Sequence, residues 1–273
     1  MNDKCNAPIG IFDSGVGGLT VAREIMRNLP NEDLVYFGDT ARVPYGSKSK
    51  NTILKYSRQI IRFLQTQHVK AIVVACNTAS AYALEDIKKE IDLPIIGVIK
   101  PGARVACQTT RNGKIGVIAT EATIRSGIYK QFINGQNPDY QVLGKACPLF
   151  VPLVEEGWQK DPVTITVAAR YLEELIKQEI DTLILGCTHY PLLRSTIQNI
   201  VGEEITLVNP AYETALELKS LLNKYNLNNQ NRATEHQQQR FYVSDLAENF
   251  QKVANSILPS EVDMTNQINI EEY

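Results

Sequence analysis

Apolar and polar positions fall into alternating blocks along the chain. Short apolar runs closed by Gly, Asp, Ser or Cys are followed by longer stretches of helical period. "IGIFDSG" (9–15) reads as a strand and its turn, and "LTVAREIMRNL" (19–29) as the amphipathic helix after it. "LVYFGDT" (34–40), "AIVVAC" (71–76) and "PIIGVI" (94–99) read as further buried strands, with "NTILKYSRQIIRFLQTQ" (51–67) and "SAYALEDIKKEI" (80–91) as helices between them. Buried strands alternating with helices predict parallel sheets covered on both faces.

The order then restarts. "KIGVIAT" (114–120) resembles "PIGIFDS" (8–14), and helix-like "TIRSGIYKQFI" follows it. "VTITVAARYLEELIKQEI" (163–180) is a long amphipathic stretch leading into "TLILGC" (182–187). Gly10 to Gly116 spans 106 positions and Cys76 to Cys187 spans 111, offsets close enough to predict two similar halves. Beyond Pro210, "AYETALELKSLLNKYNL" (211–227) reads as a helix and "NNQNRATEHQQQ" (228–239) as a polar surface loop. "RFYVSD" (240–245) reads as a strand and "LAENFQKVANSIL" (246–258) as a helix, with the last dozen residues expected to fray. The tail is expected to complete the first half. The expected fold is therefore α/β, with two similar lobes, each a mostly parallel sheet flanked by helices. The lobes would cover residues 1–98 plus 210–273 and residues 99–209, related by a pseudo-twofold with the active site between them.

Composition narrows the classes of function. The 273 residues are 44% apolar with a net charge of −2, and the basic residues are not clustered. That excludes the electrostatic footprint of a nucleic-acid or anionic-membrane binder. No apolar run approaches the ~18–20 residues needed to span a bilayer. "MNDKCNAPIGIF" at the N-terminus lacks the long apolar core of a secretory signal. The cysteines at 5, 76, 107, 147 and 187 are odd in number and never in a C-x-x-C pair. Neither a disulfide framework nor a structural metal site is expected, and free thiols fit a reducing cytoplasm.

Two of those cysteines sit at strand ends, where open parallel sheets bind ligands. Cys76 is followed by Asn77 and Thr78, and Cys187 by Thr188 and His189. One buried cysteine after a strand ordinarily just packs. Packing does not require a second at the matching position of a similar half, nor polar neighbours after both. Two thiols on opposite sides of one cleft suit stereoinversion: one takes a proton as thiolate and the other returns one as thiol. A hydrolase with a single nucleophilic cysteine, a redox pair and a non-catalytic two-lobed binding module are the competing readings. His189 could tune Cys187. Asp13 and Asp39 end strands, where capping is their ordinary role. Glu155 in "VPLVEEGW" is a further carboxylate candidate, with Glu156 beside it as the alternative. The glycines at 15, 17 and 18 shape a turn that, with Ser14, could bind a carboxylate. Pro44, Tyr45 and Gly46 of "VPYG" read as a rigid binding loop.

"GIFDSGVGGLTV", "YFGDTARVPYGSKS", "VVACNTASA" and "LILGCTHYPLL" together resemble, in order and spacing, the motifs of the glutamate racemases within the aspartate/glutamate racemase superfamily. The resemblance covers nearly the whole chain. It implies interconversion of L- and D-glutamate, supply of D-glutamate for peptidoglycan, no pyridoxal phosphate, no metal and a homodimer. Carried over by motif, Cys76 would act on D-glutamate and Cys187 on L-glutamate. Asp13 and His189 would assist the two thiols, with Asp39 and Glu155 as further acid–base or positioning groups. Substrate carboxylates and amine would meet Asp13, Ser14, Pro44, Tyr45, Gly46, Asn77, Thr78, Thr188 and His189, with Thr120 and Thr123 as additions. In "CTHYP", His189 stands where related aspartate and hydantoin racemases usually carry Glu, which points to glutamate; aspartate racemase or another amino-acid racemase of the superfamily is the runner-up.

Overall fold

The structure, a computed structural model, describes residues 3–229 and 238–273. Most of the polar stretch 228–239 therefore lies outside the described residues. The chain builds two parallel sheets. The first contains β1 (Ile9–Asp13), β2 (Leu34–Gly38), β3 (Ala71–Val74), β4 (Ile95–Gly97), β9 (Gln239–Val243) and β10 (Thr265–Gln267), in the order β10-β9-β2-β1-β3-β4. The second contains β5 (Lys114–Ala119), β6 (Gln141–Ala146), β7 (Thr182–Gly186) and β8 (Thr206–Val208), in the order β6-β5-β7-β8. Every residue of β1, β2 and β7 is buried, which is why these strands read as unbroken apolar runs rather than alternating ones.

The order β2-β1-β3-β4 is repeated as β6-β5-β7-β8. In each, the first strand lies between the second and third, so the chain reverses its direction of winding there. The crevice opens at that point, outside the strand ends. Phe12 is paired with Val74, which sets Asp13 beside the segment leading to Cys76. Ala119 is paired with Gly186, which sets Thr120 beside Cys187.

Alternate side chains of each strand enter different cores. Ile11 and Val73 share one apolar cluster with Val117 and Ile184, so a single core runs between the sheets. Phe12 and Val74 point the other way, onto Ile60 and Phe63 of the helix Lys50–Thr66. Ile118 and Leu185 pack on Leu172 of the helix Pro162–Lys177. The helix Pro210–Lys224 packs on both Leu19–Asn28 and Ile99–Thr109.

Several expectations change. The stretch 80–91 is not one helix: helical structure starts at Asn77 and is split into Asn77–Tyr82 and Leu84–Ile87. The earlier start follows from Cys76, whose sulfur caps the first turn by accepting from the Ala79 amide at 3.5 Å. The stretch at 123–133 breaks at Gly127, whose φ of 67° interrupts the helix, giving Glu121–Ser126 and Ile128–Gln136. Helices Ile99–Thr109 and Phe150–Glu155 and strands β6 and β8 have no counterpart in the pattern reading. β6 has no fully buried residue and β8 is three residues long, so neither leaves a clear apolar signature. The tail does not fray. β10 pairs with β9, and Val262 and Ile270 are buried.

The loop leading into the second sheet is pinned by one carboxylate. Asp181 accepts hydrogen bonds from the Thr110 and Thr182 hydroxyls at 2.7 and 2.9 Å and from the Arg111 and Asn112 amides at 2.6 Å each. Burial opposes its charge, but these donors prevail and hold the carboxyl below its ordinary range. A depressed folded-state pKa contributes stability above the unfolded value, and that contribution is lost as the pH falls through the depressed one. Asp181→Asn is accordingly expected to lose about 1–3 kcal/mol in denaturant unfolding at neutral pH. The gap from wild type should shrink in acid below the ordinary carboxyl range. Equal stability at neutral pH would remove this role.

Candidate active site

Four strand ends and one loop converge on a small cavity. Asp13, at the end of β1, has no solvent exposure. Its Oδ2 accepts from the amides of Gly15 and Gly18 at 3.1 and 2.9 Å, fixing the loop before the helix Leu19–Asn28. Its Oδ1 accepts from the Thr188 hydroxyl of the other sheet at 3.3 Å. A second tie runs the opposite way, from the Thr20 hydroxyl to the Thr188 carbonyl at 3.1 Å. Gly17 allows this approach: a Cβ there would lie 2.4 Å from both His189 Nδ1 and Thr188 Oγ1.

The two thiols have different surroundings. Cys76 Sγ lies 3.7 Å from Ser14 Oγ and takes the Ala79 amide. Cys187 Sγ lies 3.9 Å from His189 Nδ1, and His189 Nε2 is 3.0 Å from Glu155 Oε1. Glu155, rather than its neighbour Glu156, reaches the imidazole. Burial and the negative charge of Asp13 push the Cys76 thiol up to about 12, with the Ala79 amide and Ser14 hydroxyl pulling partly back. Burial also raises Asp13, against the His189 charge and the loop amides. For His189 burial disfavours the cation, but the bonds to Cys187 and Glu155 and the charge of Asp13 outweigh it and raise the imidazole to about 10. A positive charge is thereby offered to the Cys187 sulfur, while Cys76 stands as a neutral thiol.

The cavity between them holds about 20 Å³. That is room for a water or two, well below the ~300–1,000 Å³ of small-molecule sites. Cys76, Asn77 and Thr78 line it from the end of β3, and Thr120, Cys187, Thr188 and His189 from the ends of β5 and β7. Ser14, Pro44, Tyr45 and Gly46 close the remaining side, with Val43 and Val151 as apolar lining. Thr123 lies behind the wall in a triangle of hydroxyls, 3.2 Å from Thr78 and 3.0 Å from Thr120, which are themselves 2.9 Å apart. Asp13 likewise backs the wall. Glu155 faces a larger neighbouring cavity of about 750 Å³.

Asp39 is not among the described residues lining the thiol cavity. Its carboxylate is fully engaged, accepting from Arg42 Nε at 3.0 and 2.8 Å, from Ser244 Oγ at 2.9 Å and from the Tyr45 hydroxyl. It holds the loop 40–47 in shape and has no free oxygen aimed at the thiols, so the structure gives it an anchoring place rather than an acid–base one. The sequence reading also missed Tyr129, whose hydroxyl donates to Asn77 Oδ1 at 2.7 Å and leaves the amide nitrogen as the group free to donate. Tyr129 belongs to no strand-end motif, and only the approach of the two lobes brings it to Asn77. Among the described residues, no group of three or more His, Cys, Asp or Glu is arranged to hold a metal ion. No described helix is long and apolar enough to cross a membrane.

A thiol from each of two like-ordered parallel sheets, on one small cavity, is what two-base isomerisation at a single carbon calls for. The chain belongs to the Asp/Glu/Hydantoin racemase family, which matches it over residues 9–217. It is 49% identical over 263 residues to a glutamate racemase of Geobacter metallireducens, covering 96% of this chain and 97% of that one. Its structure superposes on a glutamate racemase isoform of Bacillus anthracis with a TM-score of 0.92 at 39% identity, covering 96% of this chain and 97% of the other. The glutamate racemase of Francisella tularensis, solved in complex with D-glutamate, gives a TM-score of 0.91 at 40% identity, covering 98% and 100%.

Gly17→Ala tests the cavity directly. The new methyl collides with Thr188 and His189 across the cleft, and a misplacement of ~1 Å at a reacting centre costs on the order of a hundred-fold in rate. The variant is expected to keep its circular dichroism and lose about that factor in kcat/KM. Unchanged kcat/KM would mean that the lobes do not need this approach.

Proposed function

We propose that the chain interconverts L- and D-glutamate without a cofactor, by proton transfer at Cα between Cys76 and Cys187. The observation that carries this is the placement of the two thiols at equivalent strand ends on one cavity. The similarity to glutamate racemases over nearly the whole chain supports glutamate as the substrate. In the direction from L-glutamate, the Cys187 thiolate takes the α-proton. The C–H pair stays on the substrate as a carbanion conjugated with its carboxylate, and the Cys76 thiol delivers its proton to the opposite face. The reverse direction exchanges the roles. Asp13 assists on the Cys76 side, and the His189–Glu155 pair on the Cys187 side. The substrate ammonium brings a positive charge to a site whose buried Asp13 and Cys76 otherwise resist ionisation, favouring both anions. Asn77, Thr78, Thr120, Thr188 and the Ser14 hydroxyl supply donors for the carboxylates, with Thr123 holding the threonine cluster in place.

The small cavity volume means that substrate is admitted only when the lobes separate. Closing again excludes water from a carbanion that no electron sink stabilises. We infer further that the two lobes divide at 1–98 plus 210–273 and 99–209, that the enzyme acts in the cytoplasm as a homodimer, and that its D-glutamate feeds peptidoglycan.

Cys76→Ala and Cys187→Ala are each expected to lower racemisation at least a hundred-fold in both directions, the scale of a lost general acid or base. The enantiomers have equal free energy, so kcat/KM must fall equally for the two. Exchange with deuterated water separates the thiols: Cys76→Ala should still label L-glutamate at Cα, and Cys187→Ala should still label D-glutamate. Near-wild-type racemisation by either variant rejects the two-thiol mechanism. Faster labelling of L-aspartate than of L-glutamate by the wild type rejects the substrate.

A further inference from the structure

The segment expected to fray reaches back to the active-site loop. Ile270–Glu272 forms a short 3₁₀ turn, capped where Asn269 Oδ1 accepts from the Glu271 amide at 3.2 Å. It is held down by buried Ile270 and by the Tyr273 ring, edge-on to Phe63 at 5.4 Å. From this turn Glu271 Oε1 accepts from Arg42 Nη1 at 3.0 Å, and Glu271 Oε2 accepts from Gln59 Nε2 at 3.1 Å. Arg42 Nη1 also donates to Gln59 Oε1 at 2.6 Å, closing a ring of three side chains.

Arg42 passes this constraint inward. Its Nε is bound to both oxygens of Asp39, and its guanidinium lies over the Tyr56 ring, 3.9 Å from the centroid. Asp39 in turn takes the Tyr45 hydroxyl, and the Tyr45 and Tyr56 rings lie 5.7 Å apart. Tyr45 and Gly46 are cavity wall, and a Cβ at Gly46 would lie 2.7 Å from Thr120 Cβ of the other lobe. A planar guanidinium with fixed donors on several sides transmits orientation in a way a flexible ammonium would not.

We propose that Glu271 is a positioning residue for the substrate loop: through Arg42 and Asp39 it fixes Tyr45 and Gly46 against the cavity and so sets the affinity for the amino acid. This rests on the racemase reading above. Glu271 touches neither the thiols nor the cavity, so the chemical step is left intact when it is lost. Its carboxylate is over half exposed, so the link is open to screening by salt.

The test is steady-state racemisation of both enantiomers by Glu271→Ala, Glu271→Gln and Glu271→Asp. Glu271→Ala is expected to raise KM roughly three- to ten-fold, as loss of charge-assisted hydrogen bonds at a partly exposed site implies, with kcat within about two-fold. Glu271→Asp should recover part of the KM. Half-molar sodium chloride, which screens the charged substrate in both proteins, should raise the wild-type KM by a larger factor than that of Glu271→Ala. A wild-type KM in Glu271→Ala, or a change confined to melting temperature, overturns the proposal. If Glu271→Ala does not fold, the isosteric Glu271→Gln carries the same test with the same outcomes. A wild type that does not racemise glutamate overturns the underlying reading instead.

Discussion

Asp13 is the constraint on which the site depends. A carboxylate without solvent exposure must be met by donors, and this one takes them from both sheets. Its own loop supplies the amides of Gly15 and Gly18, and the far sheet supplies the Thr188 hydroxyl. The loop shape, the start of the helix Leu19–Asn28 and the approach of the Cys187 segment are thus tied to one side chain. Its charge also reaches the ionisable groups around it, adding to the burial that raises Cys76 and Tyr36 and, against burial, favouring the His189 cation. One side chain thus sets both the geometry and the proton inventory of the site.

The repeated strand order explains why two thiols are available at all. Each sheet opens a crevice where its first and third strands end, and each crevice carries one cysteine: Cys76 two residues beyond β3 and Cys187 immediately after β7. The surroundings are nevertheless not copies. Cys76 has a hydroxyl and a helix-turn amide, whereas Cys187 has an imidazole backed by a carboxylate. A near-symmetric reaction is thereby run from two chemically distinct sides. This is consistent with a chain that repeats its topology more faithfully than its sequence.

Much of this was legible in the sequence because buried parallel strands write long apolar runs and end in reactive residues. Cys76, Cys187, Asp13 and His189 could all be named from that pattern, and the structure brings them together. Asp39 shows where the pattern stops: a strand-end aspartate looks alike whether it faces substrate or, as here, an arginine and a tyrosine of its own loop and a serine from a distant strand end. Tyr129 and Glu271 were invisible for the same reason, since each acts through a partner far along the chain. β6 and β8 were missed because an edge strand with one open face, or one of three residues, has no period to detect. The tail was misjudged because charged and polar residues dominate it, while single apolar anchors such as Val262 and Ile270 fix it in place.

The central claim is that the proton removed from one face and the proton delivered to the other are carried by different thiols. Racemisation of L-glutamate in deuterated water, sampled at a few per cent conversion, tests it most directly. The account predicts that nearly all D-glutamate formed carries deuterium at Cα while the remaining L-glutamate stays protiated. Substantial protium in the new D-glutamate would show one group returning the proton it took, and would contradict the two-thiol account.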